Sequence, residues 1–140
     1  MPAGRLGVIA IVFLGLPATA QQAQTDLGRI EFMANCAQCH GVDGQGDGVI
    51  AGYLTTPPAD LTVLQRANGG VLPFSQLYAI IEGGAATGPH GTREMPAWGE
   101  RYGTEALQVL GWRLDPGSQS AYVESRILAL IAYLARIQQP

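Results

Sequence analysis

Apolar positions in this chain fall into separate runs with helical spacing, divided by stretches dense in glycine and proline. The clearest run is C-terminal: Tyr122, Val123, Ile127, Leu128, Leu130, Ile131, Tyr133, Leu134 and Ile137 recur at three- and four-residue steps, with Glu124 and Arg126 outside. This predicts a terminal helix of about four turns. Near the other end, Leu27, Ile30, Phe32 and Met33 form an imperfect apolar face that runs into Cys36, behind a polar stretch at 21–24 and with Thr25 or Asp26 as the cap. A middle helix is predicted over 73–82, closed by Gly83-Gly84. A further one is predicted over 104–110. Residues 41–48 hold four glycines with Asp43 and Asp47 between them, which is loop chemistry. Pro57 and Pro58 make 55–61 extended, and 85–97 and 111–121 read as loops. No strand-like alternation of useful length occurs, so the chain reads as all-α.

The first residues follow a different pattern. Arg5 precedes a short apolar run over 6–16, then come Pro17 and the small-x-small triplet Ala18-Thr19-Ala20. Residues 1–20 are therefore expected to be a signal peptide that sends the protein to the periplasm. The run is shorter than the roughly 20 apolar residues that cross a bilayer, which makes an uncleaved membrane anchor the weaker alternative. The remainder suffices for one domain, placed at 24–138, and is too short for two.

Composition adds two constraints. The 19 Gly and 9 Pro make up a fifth of the 140 residues, which suits long loops around a bound group. Eleven acidic residues against eight Arg and no Lys give a net charge of −3, which argues against nucleic acid as a partner. Such a surface can instead steer toward a positively charged docking patch.

The candidate chemistry lies in Cys36-Ala37-Gln38-Cys39-His40. Two thiols three positions apart can each add to one vinyl group of a haem, while the histidine that follows presents its imidazole to the iron. Cys-x-x-Cys-His is the signal for c-type attachment. The alternatives are a disulfide or redox pair, and a partial zinc site for which the chain is short of further cysteines and histidines. The expected cofactor is one covalently attached haem c with its iron. Its sixth ligand would come from Met33, Met95 or His90. Met33 reads as a core residue of the first helix and His90 as a loop residue, whereas Met95 lies in an irregular stretch stiffened by Pro96. His/Met ligation raises the reduction potential and leaves the iron no open position, which favours electron transfer over catalysis.

With these motifs, residues 26–137 resemble the class I (monohaem) cytochrome c family of the bacterial periplasmic type. The stretch 36–41, Cys-Ala-Gln-Cys-His-Gly, is similar to the family's attachment site, and 93–99, Arg-Glu-Met-Pro-Ala-Trp-Gly, to its distal-ligand segment. The resemblance implies that Cys36 and Cys39 carry the thioethers, that His40 and Met95 bind the metal, and that a few helices and long loops wrap the haem. It also implies a contact of Gly28 and Phe32 with Tyr133 between the first and last helices, and a proline carbonyl, from Pro57 or Pro58, that orients His40. Arg93 and Trp98 flank Met95 and are candidates to bond the haem propionates. The function so implied is non-enzymatic: electrons pass between redox proteins (a dehydrogenase, a quinol-oxidising complex or a terminal oxidase) without a small-molecule substrate. A monomeric shuttle and a subunit of a larger oxidoreductase, with Tyr53, Leu72 or 111–121 at a permanent interface, remain as alternatives. So does a haem sensor or peroxidase with an open distal site.

Overall fold

The computed structural model describes residues 18–84, 95, 97–113 and 115–140. Most of the expected signal segment lies outside them. Helix α1 (Ala18–Asn35) is followed after a turn at Cys36 by the short α2 (Ala37–His40), and α3 (Leu64–Ala67) and α4 (Phe74–Glu82) come next. Helix α5 (Trp98–Leu110), a 3₁₀ turn (Gly111–Arg113) and α6 (Pro116–Arg136) complete the chain. Among the described residues there is no strand, in agreement with the all-α expectation. None of their helices is long and apolar enough to cross a membrane.

Helices α1 and α6 pack closely because Gly28 has no side chain. A Cβ placed on Gly28 would lie 1.9 Å from the backbone oxygen of Ala129. One turn later the rings of Phe32 and Tyr133 meet at 5.1 Å with a 44° tilt. This is the contact expected from the sequence. Phe32, Ile127, Leu130, Ile131 and Leu134 form the centre of the core, and Leu77, Ile81, Trp98 and Tyr102 close it from α4 and α5.

Four expectations need correction. Thr25 lies inside helix α1 rather than at its cap, because the alanines and glutamines of 18–24 have good helix propensity and no glycine or proline interrupts them. Ile30 and Met33 are 60% and 40% exposed, and Glu31 is buried. The contact at Gly28 sets the helix rotation, and at 100° per residue it turns 28, 31, 32 and 35 inward. Finally, 111–121 is not a loop, since α6 begins at Pro116. Asp115 caps it, accepting from the backbone N–H groups of Gly117 at 2.9 Å and Ser118 at 3.1 Å, with proline in the first helical position. Helix α5 also starts at Trp98, earlier than the expected 104–110.

The C-terminal residues tie down the long connection between α2 and α4. Gln138 donates to the Leu61 carbonyl at 2.7 Å and accepts from the Gln65 N–H, and the Gln139 N–H donates to Thr62. Leu72 packs half-buried against the core, whereas Tyr53 is 89% exposed.

Adding a methyl group at Gly28 forces α1 and α6 apart. Gly28→Ala is expected to destabilise the protein by about 1–3 kcal/mol despite the better helix propensity of alanine, as read from chemical denaturation of the intact protein. Asp115→Ala should lower the thermal midpoint through loss of the α6 cap. The Ser118 hydroxyl, followed by the Ser118 and Gly117 N–H groups, holds the Asp115 carboxyl below its usual range. The advantage of wild type over Asp115→Ala is therefore present at neutral pH and disappears as pH falls through that depressed value.

Candidate functional site

The turn at Cys36 ends α1 and starts α2, so Cys36, Cys39 and His40 all lie within one turn of helix. The His40 N–H donates to the Cys36 carbonyl at 2.9 Å, and residues three apart share a helix face, which puts both thiols on one side. They are half-buried free cysteines, and His40 is 8% exposed. Desolvation, with smaller contributions from Glu31 and Cys39, pushes the Cys36 thiol up to about 12.

The loop after α2 folds back and satisfies carbonyls that the helix end leaves without intrahelical partners. Gly46 donates to His40 at 2.8 Å, Gly48 to Cys39 at 3.0 Å and Ile50 to Gln38 at 3.1 Å. Such an approach requires glycine. A Cβ on Gly48 would sit 2.2 Å from the Gln38 carbonyl oxygen.

His40 Nδ1 lies 2.9 Å from the carbonyl oxygen of Ala59. A carbonyl only accepts, so Nδ1 carries the proton and the lone pair of the neutral ring is on Nε2. The orienting carbonyl is thus neither Pro57's nor Pro58's. The prolines make the path extended, but the close approach of Gly46, where a Cβ would be 2.5 Å from the Pro58 oxygen, sets a register that brings Ala59 opposite the ring.

Two adjoining cavities, of about 270 and 440 Å³, share Cys36, His40, Thr56, Pro57, Met95 and Trp98 in their walls. Cys39 borders the first, and Phe32, Leu77 and Leu130 line the second. Met95 is half-buried against the core. The structure thus brings Cys36, Cys39, His40 and Met95 to one largely apolar space within the roughly 300–1,000 Å³ range of ligand sites. Size, apolar lining and donor set fit a haem. Met33 borders neither cavity, and His90, Arg93 and Pro96 lie outside the described residues. Among the described residues no group of three or more His, Cys, Asp or Glu is placed to hold a metal ion.

Some contributors escaped sequence reading. Arg101 borders the first cavity and stacks over Trp98, its guanidinium 5.0 Å from the ring centre. Its spacing of three from Trp98 on one helix is a usable signal once α5 is known to begin at Trp98. The carbonyl of Ala59 has no side-chain signal at all.

Residues 23–110 match the family described as cytochrome C oxidase, cbb3-type, subunit III. No curated protein and no solved structure matches the chain.

Gly48→Ala is expected to lift the loop from α2 and break the backbone bonds that close the His40 side of the cavity. The expected loss is about 1–3 kcal/mol of stability in the haem-loaded protein, measured by denaturant titration. A stability equal to wild type would show that the loop yields without cost.

Proposed function

Because this chain belongs to the cbb3-type cytochrome c oxidase subunit III family, whose members are class I cytochromes c carrying a covalently bound c-type haem for electron transfer, we propose that Cys36 and Cys39 form the thioethers and that His40 and Met95 ligate the iron. The observation that carries this reading is the convergence of all four side chains on one cavity, with His40 Nδ1 engaged by the Ala59 carbonyl. The haem, once bound, supplies an iron that gains and loses one electron.

The residues determine how that happens. The bond to Ala59 fixes the ring of His40 and makes Nε2 the more basic ligand, as outer partners of metal-bound histidine do. Met95, also in the wall of both cavities, would supply a thioether, which raises the potential relative to a second imidazole. Phe32, Leu77, Leu130 and the other apolar side chains around the second cavity exclude water. Held by His40 and Met95 together, the haem would serve electron transfer rather than catalysis on a substrate.

We place residues 1–20 as a signal peptide, 24–138 as the cytochrome domain and the mature protein in the periplasm. The family description names an oxidase subunit, which supports a redox complex such as an oxidase as partner; in this reading a dehydrogenase or quinol-oxidising complex is the donor. The 89% exposed Tyr53, close in sequence to the cavity residues Ile50 and Leu54, is suited to a protein contact.

Met95→Ala tests the ligation. It is expected to abolish the weak long-wavelength absorption that methionine gives ferric haem, to lower the reduction potential and to let small ligands bind the iron. Retention of that band would remove Met95 from the site.

A further inference from the structure

A partly buried charged network, with Glu31 at its enclosed end, adjoins the attachment site. Glu31 is 6% exposed, and its Oε1 is paired with Arg126 Nη1, while Oε2 accepts from Asn35 Nδ2 at 3.0 Å. Asn35 in turn borders the cavity that holds Cys36 and Cys39. On the other side, Arg126 Nη2 donates to the Tyr122 hydroxyl at 2.6 Å and lies 3.5 Å from Glu105 Oε1, to which Tyr122 donates at 2.6 Å. Tyr102, fully buried, has a hydroxyl with no hydrogen-bond partner among the described residues. Burial and then the Glu31 carboxylate push that phenol well above its usual value, so it adds no charge. Two carboxylates and one guanidinium leave the network with a net negative charge.

Stability alone does not account for this arrangement, because well-packed apolar residues often replace a buried ion pair at no loss. Position suggests another role. Glu31 is joined to the cavity through Asn35, and after burial its carboxylate contributes to raising the Cys36 thiol. Burial works against the charge of Arg126, yet Glu31 and the neighbouring groups raise its value above the ordinary one, so the guanidinium stays charged.

We propose that Glu31 sets the reduction potential of the haem attached at Cys36: its enclosed carboxylate, bonded to the cavity residue Asn35, favours the more positive, oxidised iron. This rests on the haem seat proposed above. A negative charge in a partly desolvated site acts over a longer range than one in water, and it stabilises the state with one more positive charge. Removing it moves the equilibrium toward ferrous haem.

The test is an equilibrium redox titration of the haem-loaded protein. Glu31→Gln is expected to shift the ferric/ferrous equilibrium about three- to tenfold toward ferrous, which is about 30–60 mV at 59 mV per tenfold for one electron. Glu31→Asp, which keeps the charge, should remain nearer wild type. An unchanged potential in Glu31→Gln overturns the proposal, as does an Asp variant that behaves like the Gln variant. Where Glu31→Gln does not fold, the double variant E31M/R126M, which removes both charges of the buried pair and leaves only the partly exposed Glu105, is read in its place. A shift toward ferrous haem is again expected, and its absence again overturns the proposal. The long-wavelength ferric band is recorded on each sample. A potential change accompanied by loss of that band reports a change of ligand and also counts against Glu31. If wild type itself lacks the band, the Met95 assignment fails, while the effect of Glu31 on the potential is still measured.

Discussion

The close approach of α1 to α6 at Gly28 and Ala129 is the constraint from which the rest of the arrangement follows. A glycine at one helix position lets two backbones meet where any side chain would hold them apart. The approach sets both the distance between the helices and the rotation of α1. Phe32 then meets Tyr133, and the end of α1 delivers Cys36 to the cavity wall. The matched family region ends at residue 110, before α6, yet it is α6 that supplies the far side of this contact.

Holding α1 in place would not by itself orient His40. That task falls to backbone groups contributed by chain without regular structure. Glycines in 41–48 let the loop return onto the carbonyls of α2, and the extended prolyl segment brings Ala59 to the imidazole. The C-terminal residues then pin the following stretch through Leu61, Thr62 and Gln65. An electron carrier gains from such bracing, because a metal ligand fixed before the electron arrives need not rearrange when the charge changes.

Much of this was legible in the sequence because it depends on side-chain identity at short spacing. The Cys-x-x-Cys-His run and the terminal apolar stripe carry local signals, whereas the contact of Gly28 and Phe32 with Tyr133 was implied by the family resemblance. What was not legible depends on geometry between distant segments. Met33 and Ile30 looked like core residues until the Gly28 contact fixed the rotation of α1, and the choice between Pro58 and Ala59 turns on a register of one residue. The start of α6 is a different kind of miss. Asp115-Pro116 is a helix-start signal in the sequence, but Gly117 and the serines after it read as turn residues.

The same rotation that brings Cys36 to the cavity also turns Glu31 into the core, so packing and electrostatics here are not independent. Once Gly28 faces Ala129, position 31 faces α6, and a carboxylate there requires a cation from that helix. Arg126 supplies it, with Tyr122 and Glu105 beside its other terminal nitrogen. An apolar residue at position 31 would have met the packing demand without a desolvation cost. Retaining a charge where the fold does not require one places the reason for it in the neighbouring cavity, where a fixed carboxylate acts on whatever charge the cofactor carries.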